Sequence, residues 1–254
     1  MVRGHYIAAT GMLLQRRQME VITNNVANAD TTGYRKDFLV SHSFDEVLIR
    51  RIRDTNNSQV LGLTSAVGPL HLGTQRDQLF IDWDEGNLEP TNNSTDFALR
   101  GDVFFAVQTA EGERYTRNGS FYLDNEGFLV DGEGNYLLGN NGPINVGTLN
   151  FTVDQFGGVR VGEEMIDTIR VVSFPDNNAL RKQGSSLFYS IEAPLDVPNP
   201  YVIMQGVIES SNVDIGRSMV DMLAMFRAYE TNQRMITMID ETVGRAVTDI
   251  GRLR

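Results

Sequence analysis

The sequence predicts an α+β protein, in which an antiparallel β domain is inserted between N- and C-terminal amphipathic helices that pair as a coiled coil. At both ends of the 254-residue chain, apolar residues recur at spacings of three and four, as on one face of a helix. Short β-branched and aromatic segments lie between the ends, separated by turns rich in Gly, Asn and Asp. The predicted segments are an N-terminal helix (1–36, which forms a terminal helical domain with 212–254), an extended connector (37–78), an inserted β domain (79–205) and a C-terminal helix (206–254).

The N-terminal helix is predicted from an apolar stripe that Gln15 interrupts and that ends at an asparagine-rich run. Asparagine favours caps and turns, so Asn24, Asn25 and Asn28 are expected to stop the helix. Because one asparagine suffices for that role, we also expect these amides to satisfy backbone groups of a neighbouring helix or subunit. The stripe itself consists of Ala8, Met12, Met19, Ile22 and Val26.

The C-terminal helix is predicted to begin at Ile215, because capping residues precede it and no proline follows Pro200. Its stripe contains a stammer, since the steps from Gln233 to Ile236 and from Ile236 to Ile239 are both three residues. Such a long periodic pattern is typical of a coiled coil or a helical array. The stripe consists of Met219, Met222, Phe226, Tyr229, Gln233, Ile236, Ile239, Val243, Ala246, Ile250 and Leu253.

Both helices remain apolar outside these stripes, as at Leu13 on the first helix and Leu223 on the second. A helix that is apolar over much of its circumference packs against neighbours on more than one side. An intramolecular hairpin alone is the alternative, and periodicity does not decide between the two. The predicted assembly interface consists of Met12, Met19, Ile22, Asn24, Asn25, Val26, Asn28, Met219, Met222, Phe226, Tyr229, Ile236, Ile239 and Val243.

The central region shows strand-like segments at short intervals, which predicts an antiparallel β domain rather than alternating βαβ units. Residues 50–78 have weak periodicity and are therefore interpreted as an extended connector. The strand-like segments are residues 104–107, 120–123, 128–130, 158–161 and 169–174, with turns at 124–127, 131–134, 139–143 and 155–158.

Composition and motifs favour a structural role over catalysis. The formal net charge of −11 argues against a nucleic-acid partner, and the absence of cysteine excludes disulfides and thiol chemistry. The histidines His5, His42 and His71 lack metal-ligand spacing, so no catalytic, cofactor-binding or metal site is expected. The acidic turns at Asp124 and Asp131 do not match a calcium loop and are interpreted as hairpin residues.

One feature keeps an enzymatic alternative open, namely Trp83 between Asp82 and Asp84, which could stack on a sugar in a carbohydrate-active β domain. A lone Trp at a strand end more often serves packing, which is the interpretation we favour. The apolar stretch near the N-terminus, residues 6–14, is broken by Thr10 and Gly11. We therefore expect neither a cleaved secretory signal nor a membrane span.

The two ends and the middle of the chain resemble the flagellar axial family of rod and hook proteins. Residues 21–36, VITNNVANADTTGYRK, are similar to the first signature of that family, and residues 206–214, GVIESSNVD, with 227–232, RAYETN, are similar to the second. Residues 86–88, 91–92, 96–101, 104–105 and 115–121 resemble the β domain of the larger rod proteins. Departures from the family pattern occur at Val103, Ser218 and Phe226 and affect interface detail.

This resemblance implies a structural subunit of the basal-body rod, which polymerises helically into the drive shaft that transmits torque for motility. It also implies type III export without a cleaved signal, and a location outside the cytoplasmic membrane. The implied partners are copies of the chain, other rod and hook proteins, the export apparatus, the bushing rings and the rod cap, with no cofactor. The long connector resembles the distal rod protein; a proximal rod protein and a short hook-type subunit are the alternatives.

Overall fold

The computed structural model describes residues 2–45, 47–51, 65–71, 73–190, 193–196 and 201–252. The predicted order of helix, antiparallel β structure and helix is confirmed. The chain forms two compact units, and each is assembled from separate stretches of sequence. The helical unit comprises Met1–Thr23, Phe38–Phe80 and Gly216–Arg254, and the β unit comprises Asn24–Asp37 and Ile81–Ile215.

The helices occupy the two ends of the chain: α1 spans Val2–Ala27 and α2 spans Ile215–Gly251. α1 ends within the asparagine-rich run, where the backbone N–H of Asn28 donates to the carbonyls of Asn24 (3.2 Å) and Asn25 (3.1 Å) and closes the last turn. Residues 28–36, which the predicted N-terminal helix segment included, are turns and irregular structure. α2 begins at the predicted residue. The preceding residues Val207–Glu209, which the prediction included with this helix, form a strand instead.

Within the helical unit, α1 and α2 contact each other in antiparallel register. The side chain of Asn232 donates to Gln15 (3.0 Å). Small residues on α1 allow close approach, since a Cβ on Gly4 would lie 2.9 Å from Cδ1 of Ile239, and one on Gly11 would lie 2.9 Å from Nδ2 of Asn232. The small residues on α1 thus let the two helices pack closely against each other.

Most of the half-buried residues of α2 follow a regular heptad, which corrects the predicted stammer; Ala228 and Glu230 are half-buried outside it. Asn232 is half-buried and Gln233 is exposed, so the row steps by four from Asn232 to Ile236 and by three to Ile239. The stammer arose because the sequence pattern assigned the wrong polar residue to the stripe. The observed row is Met222, Met225, Tyr229, Asn232, Ile236, Ile239, Val243 and Ala246.

The interval predicted as an extended connector contains strands in its described parts. β1 pairs with β4, and β2 pairs with β3 in antiparallel register with a shift between Ile49 and Arg50. The Phe38 and Phe80 rings stack at 5.8 Å between β1 and β4. The strands are β1 (Asp37–Ser43), β2 (Val47–Arg51), β3 (Ser65–Leu70) and β4 (Thr74–Ile81), whereas residues 52–64 lie outside the described residues.

The strands of the β unit are short and antiparallel, as predicted. They are β5 (Leu88–Pro90), β6 (Phe97–Arg100), β7 (Phe104–Thr109), β8 (Gly112–Thr116), β9 (Tyr122–Leu123), β10 (Leu129–Val130), β11 (Tyr136–Leu137), β12 (Thr152–Val153), β13 (Gly158–Val161), β14 (Glu164–Thr168), β15 (Val171–Ser173), β16 (Arg181–Gln183), β17 (Leu187–Tyr189), β18 (Leu195–Asp196), β19 (Val202–Gln205) and β20 (Val207–Glu209).

One sheet of the β unit has the strand order β16-β17-β8-β7-β11-β10-β9, and β15 pairs with both β7 and β18. A second sheet has the order β12-β13-β14, and two further ladders pair β19 with β6 and β20 with β5. The β20–β5 ladder brings Glu209 opposite Leu88. Residues near the C-terminal helix are thereby fixed beside the start of the β domain.

The β unit has a densely aromatic core, in which Phe97, Phe105 and Phe121 are fully buried. Trp83 packs against Phe104 (ring centroids 5.6 Å apart) and Phe188 (5.2 Å). The ring of Trp83 therefore packs against the aromatic core, and this packing explains its position without a bound sugar.

The acidic turns are hairpin elements, as predicted. The Asp131 carboxylate accepts hydrogen bonds from the backbone N–H groups of Glu133 and Asn135, both at 2.9 Å. Gly134 in the same turn has φ +87°, a left-handed conformation that glycine adopts without strain. The carboxylate is thus occupied by its own turn.

Candidate assembly interface

The segment between α1 and β1, residues 28–36, carries the last part of the first signature, and we call it the strap. It belongs to the β unit. The backbone N–H of Gly33 donates to the carbonyl of Glu209 (2.7 Å), where the second signature begins. Gly33 has φ +68°, and a Cβ there would collide with the carbonyl group of Arg117. Glycine is required at this point by both conformation and space.

Arg35 of the strap ends in a buried ionic cluster with Glu209 and Arg117, which we call the clasp. Arg35 Nη2 lies 2.6 Å from Glu209 Oε1, and Arg117 Nη1 lies 3.4 Å from Glu209 Oε2, with each of the three side chains no more than 2% exposed. Arg35 also donates to the carbonyl of Asp84 (2.6 Å), and the N–H of Gly86 donates to the Glu209 carboxylate (3.0 Å). The carboxylate of Glu209, in the second signature, thus contacts Arg35 of the first signature as well as Arg117 and Gly86.

The clasp is stabilised by groups that compensate for the loss of water around its charges. Arg117 donates to the carbonyls of Leu99 (3.3 Å) and Gly101, and its guanidinium lies 5.3 Å from the ring centroid of Phe104. Burial lowers the pKa of Arg117, and Glu209 acts in the opposite direction. Removing one member of such a buried cluster leaves an uncompensated charge, which costs about 3–5 kcal/mol.

A second polar contact holds the strap at Lys182 on β16. Its Nζ donates to the carbonyl of Arg35 (2.7 Å) and to the carboxylate of Asp37 (3.1 Å), and it lies 3.8 Å from the ring centroid of Tyr34. Burial lowers the pKa of Lys182 against the effect of Asp37, and burial raises the pKa of Asp37 against the effect of Lys182. The Lys182–Asp37 ion pair therefore lies in a partly buried site, where the loss of water disfavours the charged form of both side chains.

The asparagines of the predicted interface bond within their own chain. The buried side chain of Asn25 accepts hydrogen bonds from the Tyr34 hydroxyl (3.0 Å) and the Asp37 N–H (2.9 Å) and donates to the Asp37 carbonyl (2.7 Å). Asn28 donates to the carbonyl of Asn24 (2.8 Å). Asn25 thus satisfies backbone groups outside its own helix, and a contact of these residues with another subunit stays a prediction.

The apolar residues of the predicted interface fall into two groups. One group, half-buried in the chain, consists of Met12, Met19, Ile22, Val26, Met222, Tyr229, Ile236, Ile239 and Val243. Met219 and Phe226 form the other group, because they are 54% and 50% exposed. Periodicity assigned both groups to one stripe, and the structure separates them.

The surface of α2 shows why the helical unit is a candidate for assembly. Its 37 residues, all of which the structure describes, include no buried residue. Apolar side chains are exposed along the whole of α2. They are Met219, Val220, Leu223 and Phe226 in its first part and Met235, Met238, Val247 and Ile250 towards its C-terminal end. An exposed apolar surface of this extent is typical of an interaction site.

The described residues contain no group of three or more Asp, Glu, His or Cys side chains that could hold a metal ion. Among the described helices, none is long and apolar enough to span a membrane. The functional residues that sequence reasoning missed are those of the clasp. Arg35 and Glu209 both lie inside the two signatures, and their opposite charges were the available signal.

Family comparisons match the parts of the chain that carry these features. The model described as "Flagella basal body rod protein" matches residues 6–35, which include the strap up to Arg35. The model "Flagellar hook protein FlgE/F/G D1 domain" matches residues 98–161, and "Flagellar basal body rod FlgEFG protein C-terminal" matches residues 204–248.

Curated relatives are similar along nearly the whole chain. The flagellar hook-basal body complex protein FlhO of Bacillus subtilis (strain 168) is 30% identical over 100% of both chains. The flagellar basal-body rod protein FlgG of Buchnera aphidicola subsp. Acyrthosiphon pisum is 31% identical over 95% of this chain and 97% of its own. FlgG of Bacillus subtilis (strain 168) is 29% identical over 97% and 98%, respectively.

Proposed function

Since the chain belongs to the family of flagellar basal-body rod proteins, we propose that it is a structural subunit of the rod, which polymerises through its terminal helices and transmits torque. The observation that carries this proposal is the 37-residue helix α2 without a buried residue. A helix with exposed Met219, Leu223 and Phe226 is suited to burial between subunits.

The two units would have different tasks in such a polymer. The β unit has its own aromatic core and supplies a stable body for each subunit. The strap and the clasp fix the last residues of α1, which belong to the β unit, through Asn25 and Arg35.

The proposal includes location and partners. The chain would reside in the basal body outside the cytoplasmic membrane after export through the flagellar type III channel. It would contact copies of itself, other rod and hook proteins, the bushing rings and the rod cap, and it would have no catalytic activity. A distal position along the rod stays a prediction, with the proximal position as its alternative.

A second assignment within the same structure is a hook-type subunit. It is favoured by the similarity to FlhO, whose name describes a protein of the hook-basal body complex. Both assignments use the same polymerising helices, and they differ in where along the axial structure the subunit is found.

Position in the basal body can be tested with a tag between Gly162 and Glu163, in the turn that joins β13 to β14. Gly162 is exposed, and no heavy atom lies within 4 Å of a Cβ built there, so an insertion should leave the fold intact. We expect the label on the rod of purified basal bodies and loss of motility when the chain is deleted. Basal bodies without the label, together with normal motility of the deletion strain, would contradict the proposal.

A further inference from the structure

We propose that an apolar pocket on α1 receives a row of α2 side chains from a second copy of this chain, an inference that rests on the proposed polymeric function. The pocket and the row both belong to the helical unit. The pocket has a volume of about 370 Å³ and lies between α1 and the residues that flank the connector strands. Tyr6, Leu13, Leu14 and Arg17 of α1 line it together with Phe44 and Thr74.

The pocket is apolar and open to solvent. Tyr6 is 50% exposed and Leu13 is 58% exposed, although their side chains face a concave surface. The rings of Tyr6 and Phe44 lie 6.2 Å apart and form one wall. A solvent-filled apolar concavity of this size is a place where burial of another apolar side chain is favourable.

The α2 helix of the same chain does not cover this pocket. α1 contacts α2 through Gly4, Gly11 and Gln15, and the His5 ring lies 2.6 Å from the Asp240 carboxylate. Because each helical residue turns the chain by about 100°, Tyr6 and Leu13 lie roughly 160° around α1 from the first three contacts and about 90° from His5. The pocket is lined by no residue of α2, whose 37 residues are all described, so we look for its occupant outside the helix pair.

The exposed row on α2 has the pattern of a helix that binds in a groove. Met219, Leu223 and Phe226 occupy positions i, i+4 and i+7, and they are 54%, 59% and 50% exposed. On α2 they lie about a quarter of a turn from the half-buried heptad that includes Tyr229 and Ile236. The row therefore lies to one side of the contact with its own α1 and stays exposed, so that it is available to a neighbour.

Charge supports the choice of a second copy as the partner. Glu230 follows Phe226 by one turn on the same face of α2, and it has no ion-pair partner among the residues that the structure describes. Arg17 lines the pocket and is 45% exposed, and its contact with Glu20 (2.6 Å) is a surface ion pair of small stability. With Phe226 in the pocket, Glu230 of the incoming helix can replace Glu20 as the partner of Arg17.

The pocket and the row lie on different faces of the helical unit, so the contact is heterologous. A heterologous contact leaves a free pocket on one subunit and a free row on the other, and it therefore continues as a ring or an open helical filament. A self-complementary dimer would instead satisfy both surfaces at once. The geometry thus fits the polymer that the proposed function requires.

Disulfide cross-linking tests the contact cleanly, because the natural chain has no cysteine. One chain with Leu13→Cys and another with Phe226→Cys are co-expressed with the natural chain, which supports rod assembly, and isolated basal bodies are oxidised. We expect a cross-linked dimer from the mixture and little from either variant alone. The control replaces Phe226→Cys by Met238→Cys, which is 57% exposed on α2 but lies outside the row.

Charge reversal supplies a second measurement. Arg17→Glu and Glu230→Arg should each reduce swimming and rod assembly, and the double variant should restore both. Equal cross-linking of Leu13→Cys to Phe226→Cys and to Met238→Cys in assembled rods would overturn this contact. A double variant that swims and assembles rods no better than the single variants would overturn it as well. Either result would leave the proposed rod function intact. Absence of the tagged natural chain from basal bodies would contradict the proposed function, and this inference with it.

Discussion

The two units of this protein bury their side chains in very different ways. In the β unit, Phe97, Phe105 and Phe121 are fully buried, and the charges of the clasp are shielded from water. In the helical unit, α2 has no buried residue along its 37 residues, all of which are described. The comparison teaches that one chain combines a β unit that has its own buried core with a long helix whose apolar side chains stay exposed, and the proposed assembly would bury that helix.

Electrostatics shows the same contrast. Glu209 of the β unit makes ion pairs with two guanidinium groups in a buried site. On α2, the Arg245–Glu241 pair spans 3.9 Å, and its side chains are 82% and 70% exposed. Such surface pairs contribute little to stability, whereas breaking a buried cluster is costly. Substitutions should therefore affect monomer stability in one unit and assembly in the other.

The largest effect is expected for Glu209→Gln, which removes the negative charge between Arg35 and Arg117. Two buried guanidinium groups would then lack a counter-charge, and we expect the free energy of unfolding to fall by about 4 kcal/mol. Denaturation with urea, followed by the fluorescence of Trp83, measures this. The matched control is Glu133→Gln in an exposed turn. Equal stability of the two variants would show that the clasp does not hold the β unit.

A pair of Phe→Ala substitutions sharpens the comparison directly. Phe121→Ala should lower the free energy of unfolding of the β unit by about 3–5 kcal/mol, since the ring is fully buried. Phe226→Ala should leave that free energy unchanged in the monomer and impair polymerisation, because this ring is half exposed. Monomer unfolding and rod assembly are measured for both variants. A similar loss of β-unit stability in Phe226→Ala would mean that this residue belongs to a folded core.

The helices and the hairpin turns could be predicted because their signals are local. The asparagine-rich run contains the end of α1 at Ala27, although the predicted N-terminal helix segment extended to residue 36, and Asp131 proved to be a turn residue. Which face of α2 packs could not be predicted, because apolar residues surround most of that helix. Met219 and Phe226 were assigned to one stripe with Tyr229, and three-dimensional contact alone separates them.

The clasp could not be predicted because its members are distant in sequence. Arg117 and Glu209 are 92 residues apart, and neither stands in a periodic pattern. The strands of residues 37–78 were missed for a related reason. β2 pairs with β3 across an irregular register, and weak local periodicity gives no sign of such pairing.

Gly33→Ala tests whether the strap must lie against the β unit. The αL conformation and the collision with the Arg117 carbonyl together should cost about 3 kcal/mol. Gly162→Ala is the matched control, because φ there is +64° and nothing lies within 4 Å of its Cβ. The control should lose about 1 kcal/mol. Thermal unfolding measures the loss of stability in both variants. Equal losses would show that Gly33 does not lie against the backbone of Arg117.

A smaller difference is expected between two asparagines of the predicted interface. Asn25→Ala removes three hydrogen bonds to Tyr34 and Asp37 and should lower the free energy of unfolding by about 2 kcal/mol. Asn28→Ala removes a local bond to Asn24, and its effect should stay near 0.5 kcal/mol, about the lower end for a hydrogen bond. Urea denaturation measures both. Equal effects would place the two side chains in equivalent roles, contrary to the structure.

Hydrogen exchange tests the central claim, that the β unit is complete in the monomer while the terminal helices become ordered on assembly. In dilute monomer, amides of α1 before Asn24 and of α2 after Asp214 should exchange fast, and those of β7 and the strap should be protected. In isolated rods, the helices should become protected as well. Protection of α2 in dilute monomer equal to that of β7 would contradict the account.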